Sequence, residues 1–534
     1  MALTSSDQQR DSTDPESGHN YITVIPVEFQ RSRGYPQPPD QYSDYKSIDG
    51  EFNRPDIVKS GSGVENSKTI SPEAYKQSLD NCGKFGKEHE DNAINAQWEK
   101  EKNQEAQNDS SIQPLKVCVY LMSDVALHME LEDGVNTTVK ELTQAIVTEE
   151  QLGLPRSAAN IFTLWMCSGL LELRLKPHHQ PFAVRAKWPD LLVKYAHATE
   201  SRQRRDEPVL SFQRNVFVSR SVDERVKDPK IMDLLYCEAR YNILEGRYPC
   251  EVGHYIMLGG IQARLELGPY NPHIHTIHFF REQYSRFLPP QMRRGAWRSW
   301  LGLGGKNCPE IKLLEHYKRI PPSTPDRKLQ RKYLEFCWAL PYYGCAFFQG
   351  QVEQPVRGLT SLITHQDIPV LVGINPQGIY VIDNTQCILL LGLKFEEMSW
   401  DFAKPSQEDN PDCLPCIFIQ FRVVENGMRV SKILQIFSKQ AVMMDALISG
   451  FVEDIKKKTS VTTKQPATDE TDRPPVYDTA TDSDDTQMPL NNVAGAHREL
   501  PQSCLGNKLS KLTLATFDDE GRCIGQMGSW SFSY

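Results

Sequence analysis

The sequence contains no apolar run of the about 18–20 residues a helix needs to cross a bilayer. No hydrophobic signal region opens it, and residue 2 is Ala, so the glycine of an N-myristoyl signal is missing. The closing Ser531, Phe532, Ser533 and Tyr534 include no prenylation cysteine. The 13 cysteines show no paired spacing. Five of them (Cys118, Cys167, Cys237, Cys337, Cys345) sit in apolar runs, where a small buried thiol is the default. These absences set the expectation of a reduced, cytoplasmic protein without an anchor of its own. Catalytic signatures are missing too. There is no HExxH, no GxSxG elbow and no His-Cys phosphatase loop. Gly302, Gly304, Gly305 and Lys306 imitate a phosphate loop, but Trp300 stands where its first glycine belongs and Asn307 where Ser or Thr should follow. Cys413 and Cys416 form a lone CxxC without the second pair of a zinc ribbon. His273, His275 and His278 are the densest metal-type cluster and lack a fourth ligand, so a polar surface is the simpler reading. The expectation is no enzyme, no metal and no cofactor.

Hydrophobic residues are also scarce, at 39%, which leaves part of the chain without a core. Residues 1–113 hold 20 acidic and 12 basic side chains, and residues 459–534 hold 11 and 6. The net −9 therefore comes from acidic flanks around a middle of 38 acidic and 42 basic residues. A net of +4 suits a module near an anionic surface and gives no footprint for nucleic acid. Both flanks are expected to be disordered, the tail with one feature at 508–519. The head has one exception, residues 21–29, which alternate like a strand despite Pro26 and read as a chance island or a short docking segment.

Folded pattern starts near Leu115. Residues 116–121 and 125–131 alternate around a Met122, Ser123, Asp124 turn, a hairpin signal. A helix follows, with Thr138 and Glu141 as a capping box, a stripe of Val139, Leu142, Ala145 and Ile146, and Gly153 closing it. Strands are expected at 161–167 and 171–175, and a last one at 191–195 or 209–218. Residues 220–336 switch to helical period. Asp228 caps and Pro229 begins one helix ended by Gly246, and a second runs from Pro249 to Gly268. Shorter helices are expected at 279–287 and 308–317.

Residues 340–350, LPYYGCAFFQG, mark the next change of period. Pro341 stops a helix, Gly344 allows a sharp turn, and Phe347 and Phe348 can anchor the two faces of a buried strand. Short strands follow at 370–374, 379–383, 388–393, 398–402, 417–423 and 433–437. A long helix from Ser438 to Lys458 closes the unit, with Met444, Leu447, Ile448, Phe451, Val452 and Ile455 as its stripe. Seven strands and one closing helix is the order of a pleckstrin/phosphotyrosine-binding sandwich.

Such a sandwich leaves a groove between its fifth strand and its helix, where a peptide can add as a strand. The groove candidates are Met398, Trp400 and Phe402 from the strand and Met443 and Leu447 from the helix, although all could be core. Arg293, Arg294 and Arg298 beside Trp297 and Trp300 suit an anionic lipid surface or an acidic partner, or a solvated face. Pro474, Pro475 and Tyr477 form a PPxY stretch fit for a WW domain. Ser483 beside Asp484 and Asp485 suits an acidophilic kinase, and the last three residues suit a PDZ groove.

Specific stretches carry a resemblance. Residues 242–250 (NILEGRYPC), 265–270 (LELGPY), Leu288 with Pro289, and 340–348 are similar to recurring segments of the FERM family. Residues 175–181, 212–217, 343–348, 399–401 and 437–441 resemble one branch of it, and 511–521 resembles that branch's tail faintly. The resemblance implies an α+β, three-lobed FERM domain: a ubiquitin-like lobe at 114–219, a helical lobe at 220–338 resembling acyl-CoA-binding protein, and a PH/PTB-like lobe at 339–458. The head at 1–113 and the tail at 459–534 are read as disordered from their composition, and so long an acidic head departs from that branch's pattern. The resemblance also implies a scaffold peripheral at the plasma membrane that binds cytoplasmic tails of membrane proteins, those of iRhom pseudoproteases and of a Wnt co-receptor. A phosphoinositide-regulated membrane–cytoskeleton linker is the alternative, and would need an actin-binding tail helix that the acidic tail lacks.

Overall fold

The computed structural model describes residues 21–26, 114–294 apart from 124, 308–355, 367–407, 410, 413–462 and 507–526. The first sheet is built from β1 (Tyr21–Pro26), β2 (Leu115–Leu121), β3 (Val125–Leu131), β4 (Phe162–Cys167), β5 (Glu172–Arg174) and β6 (Val209–Arg214). Their order is β1-β3-β2-β6-β4-β5, with β2 and β6 parallel and the other pairs antiparallel. Helix α1 (Val139–Thr148) starts on the expected capping box. Thr138 accepts from the Glu141 amide, and the Glu141 carboxylate accepts from the Thr138 amide. Val139, Leu142 and Ile146 are buried against the sheet core.

The last strand, expected at 191–195 or 209–218, forms at the second place as β6. Residues 191–195 lie instead in helix α2 (Trp188–Tyr195), with Pro189 in its first turn. Leu192 is buried while Val193 is 66% exposed, a helical rather than an all-buried pattern. Within the strand-like exception at 21–29, residues 21–26 form a strand whose backbone adds to the edge of β3, in register from Tyr21 against Glu130 to Pro26 against Val125. Proline is tolerated there because β1 is an edge strand.

The helical part holds α3 (Pro229–Leu244), α4 (Val252–Leu267), α5 (Pro309–Arg319) and α6 (Asp326–Ala339). Asp228 caps α3 by accepting from the amides of Lys230 and Ile231. The helix expected at 279–287 is two short ones, Ile277–Glu282 and Tyr284–Phe287, broken at Gln283. Gly259 and Gly260 let α4 approach its neighbours closely. A Cβ at Gly259 would lie 2.7 Å from the Phe287 carbonyl oxygen, and one at Gly260 2.9 Å from His316 Cβ on α5.

The second sheet contains β7 (Ala346–Val352), β8 (Ile368–Asn375), β9 (Gly378–Asp383), β10 (Ile388–Lys394), β11 (Met398–Ala403), β12 (Cys416–Glu425) and β13 (Met428–Phe437), ordered β10-β9-β8-β7-β13-β12-β11. Helix α7 (Ala441–Thr462) packs across it. Met444, Ile448 and Phe451 are buried, and Ser438 bonds the Gln440 amide at the helix entry. Phe347 and Phe348 divide as their alternation demands. Phe348 joins the core of this sandwich, while Phe347 packs against the core shared by the first two lobes.

Residues 507–526 span the one feature read in the tail, 508–519. They form β14 (Ala515–Phe517) and β15 (Cys523–Gln526), with β14 paired to β13 and β15 to β14. Leu512, Thr513, Leu514 and Ala515 are buried. A four-residue apolar patch in an acidic tail is too short to declare a docking element by composition.

Candidate functional site

Strand β11 is the last strand of its sheet. One edge pairs with β12, in register from Met398 against Phe421 to Ala403 against Cys416. Among the described residues no strand takes the other edge, so its peptide groups are open to an added chain. Met398, Trp400 and Phe402 alternate with exposed Ser399 and Asp401 and are half-buried. Helix α7 lies against this strand. Met443 and Leu447, also half-buried, pack with Met398 and Trp400 against the sandwich core. The indole Nε1 of Trp400 donates to Asp445 Oδ1 on α7 at 2.9 Å, joining the two walls. Asp445 was not anticipated. Only the i,i+2 register against Met443 points to it, and that register says nothing about an indole partner. Three of the groove candidates thus lie on the open strand and two on the helix against it. Val442, on the same helix, is 38% exposed.

The other candidates do not converge on it. Arg293 and Arg294 end the short helix Pro290–Arg294, while Arg298, Trp297, Trp300 and the phosphate-loop imitation at 302–306 lie outside the described residues. So do Pro474, Pro475, Tyr477, Ser483 and the last three residues. His275 is buried, and its Nδ1 receives the Asn271 amide at 3.0 Å and lies 3.0 Å from Tyr317 Oη. His278 faces Glu282 instead. Cys416 is buried on β12 and Cys413 lies near Ser406, 3.4 Å away. No group of three potential metal ligands forms among the described residues.

The third lobe meets the other two at a junction of buried charge. Arg214, at the end of β6, bonds Asp223 at 2.6 Å, and Tyr343 donates to the same carboxylate oxygen at 2.9 Å. The Arg214 amide donates to Glu238 on α3 at 2.8 Å, and its guanidinium lies over the Tyr343 ring. Gly344 has φ +69°, and its amide donates to Tyr248 Oη at 2.9 Å. Asn375 on β8 donates to the Pro341 and Tyr343 carbonyls at 2.8 and 3.1 Å. Burial raises the Glu238 carboxyl to about 7 against the pull of Arg214, and burial likewise raises Asp223. A polar cavity of about 20 Å³, room for about one water, adjoins Arg214, Glu238 and Gly344. Three lobes are held here by residues 214, 223, 238, 248, 343 and 375.

The description "FERM central domain" matches residues 221–348. A second, "KRIT1/FRMD8, FERM domain C-lobe", matches residues 368–447, a span that includes β11 and the first turns of α7. FERM domain-containing protein 8 of Xenopus tropicalis is 36% identical over 370 residues, covering 67% of this chain and 79% of that protein. The chain belongs to the FERM domain-containing protein 8 family. The zebrafish member, from Danio rerio, is 39% identical over 346 residues, covering 63% of this chain and 72% of its own. The human member is 36% identical over 348 residues, covering 63% and 73%. Among solved structures, the human Myosin 7b C-terminal MyTH4-FERM domain in complex with the harmonin-a PDZ3 domain aligns at a TM-score of 0.43 and 16% identity, covering 64% of this chain and 60% of that one. The fold is therefore a three-lobed α+β FERM domain, as the sequence implied, and the family gives it the role of a FERM adaptor. Among the described residues no helix is long and apolar enough to cross a membrane.

Proposed function

We propose that this FERM adaptor is non-enzymatic and binds an extended cytoplasmic tail of a membrane protein along β11, at the inner face of the plasma membrane. One observation carries the reading: an unpaired strand edge lies beside half-buried Trp400, Met443 and Leu447. The edge supplies backbone hydrogen bonds to an added strand, and alternate peptide side chains drop between Trp400 and α7. Met443 adapts to different side chains because its thioether is flexible. Membrane association then comes from the captured tail. Tails of iRhom pseudoproteases and of a Wnt co-receptor are the first ligands to test, on the family resemblance.

The test is affinity capture by the full chain, with Trp400→Ala and Leu447→Ala as variants. Removing either anchor weakens tail capture at least ten-fold, about 1.4 kcal/mol, while the melting curve stays close to that of the parent. Undiminished capture by both folded variants rules the groove out.

A further inference from the structure

Residues 507–526 form a segment that lies against the third lobe. Lys508 donates its amide to the Leu390 carbonyl at 2.8 Å, and Asn507 Oδ1 accepts from the Gly392 amide at 3.0 Å, so the segment enters along β10. Lys511 Nζ reaches Gln386 at 2.8 Å. Leu512 and Leu514 then join the sandwich core, and Ala515–Phe517 pairs with residues 431–433 of β13. Lys432, nearly buried on β13, is bridged to Thr516 Oγ1 at 3.2 Å and to Glu425 at 3.0 Å. One sheet therefore runs β15-β14-β13-β12-β11, with the segment at one end and the candidate groove at the other.

Three features mark this as a docked peptide. The segment is separated in sequence from the end of α7 by the 44 residues 463–506. Its ladder on β13 is three residues long, and its fully buried part is four residues, 512–515. Its fit is also imperfect, because Thr513 Oγ1 is buried without a hydrogen-bond partner. Burying an unpaired hydroxyl is unfavourable, so a constitutive core strand would carry an apolar residue there.

We propose that residues 507–526 are a peptide ligand held in cis on a second strand-addition face of the third lobe, formed by β13, the β10 edge and Lys432, and that the segment exchanges with added peptide of the same pattern. The face selects Leu-x-Leu-Ala in extended form, followed by an oxygen acceptor opposite Lys432. The position occupied by Thr513 prefers a β-branched apolar side chain.

The test keeps the full chain and places a protease site between residues 463 and 506. After cleavage, the fragment beginning before Asn507 co-elutes with the body at micromolar concentration. A labelled synthetic peptide of residues 505–527 displaces it without unfolding the body. The Thr513→Val peptide competes about ten-fold better than the parent, and a Leu512→Asp, Leu514→Asp peptide does not compete. Hydrogen exchange at residues 390–392 and 431–433 rises when the fragment is washed away and falls again on adding peptide. If the fragment leaves only when the body unfolds, the segment is a fixed strand and the proposal fails. Immediate loss on cleavage, with no change in exchange at those amides, overturns it as well.

Discussion

Replacing Gly344 by Ala tests whether the junction is held as described. Gly344 has φ +69°, where an L side chain costs about 1–2 kcal/mol. The added Cβ would also lie 2.4 Å from Arg214 Nη1 and 2.8 Å from its guanidinium carbon. Arg214 cannot yield freely. Its side chain is 4% exposed, it bonds Asp223 at 2.6 Å, and its other terminal nitrogen bonds the Val218 carbonyl at 2.7 Å. Pushing it aside uncovers a fully buried carboxylate, and breaking a buried ion pair from one side costs about 3–5 kcal/mol. The sum is roughly 4–7 kcal/mol. Gly153 supplies the control, since its φ is +60° and the nearest atom to an added Cβ is Lys230 Cε at 3.8 Å. Gly153→Ala should therefore lose only the backbone cost of about 1–2 kcal/mol. Urea unfolding of both variants, followed by tryptophan fluorescence and by circular dichroism, gives the comparison, with coincidence of the two probes checking that one transition is being read. A Gly344→Ala loss within about 1 kcal/mol of the Gly153→Ala loss would refute the claim that Arg214 is pinned.

Glu238 gives the junction a pH dependence. Its folded pKa of about 7 exceeds its ordinary 4.5, so the folded protein holds the extra proton between those values. Stability is fullest below the lower value and falls as pH rises towards 7, by about 3 kcal/mol. Glu238→Gln keeps an acceptor for the Arg214 amide and should flatten that part of the melting-temperature profile; an unchanged slope would mean the carboxyl is ionised throughout. Phe348→Ala should cost about 3–5 kcal/mol as a core truncation, read by urea unfolding, with a cost under about 1 kcal/mol contradicting its place in the sandwich core. Thr138→Ala should cost about 1 kcal/mol through loss of the α1 cap, and hydrogen exchange at Glu141 should rise with it.

Local chemistry was readable where a few neighbouring residues decide the outcome. Thr138 with Glu141, and Asp228 with Pro229, start helices by satisfying amides within one turn. The alternation of Phe347 and Phe348 sorted them into two cores. Ambiguity arose where a run fits two periods. Leu191, Leu192 and Val193 read as one of two places for the last strand, and Pro189 in the first turn fits the helix that forms there. The groove candidates were legible as a pattern on β11 and α7, but the Trp400–Asp445 bond that joins them depends on the rotation of the helix. Least legible were partners far apart in sequence. Nothing near Arg214 announces Asp223, Glu238 and Tyr343 as its companions, and nothing in an acidic tail announces β13.

The two ends of the second sheet should be separable, and that distinguishes the two docking faces. Strands β12 and β13 pair over ten positions, from Cys416 against Phe437 to Glu425 against Met428. Asn426 and Gly427, both with positive φ, close the hairpin between them. A slip of one residue would turn Ile417, Ile419 and Phe421 out of the core, so the register is fixed by burial as well as by the turn. The segment at 515–517 pairs with β13 at residues 431–433, while Trp400 is positioned by β12 and by Asp445 on α7. Cleaving and washing away the terminal segment should therefore leave Trp400- and Leu447-dependent capture within about three-fold of the intact chain. Capture that rises or falls more than ten-fold would show that the β12–β13 hairpin transmits strain across the sheet, and that the terminal segment regulates the groove.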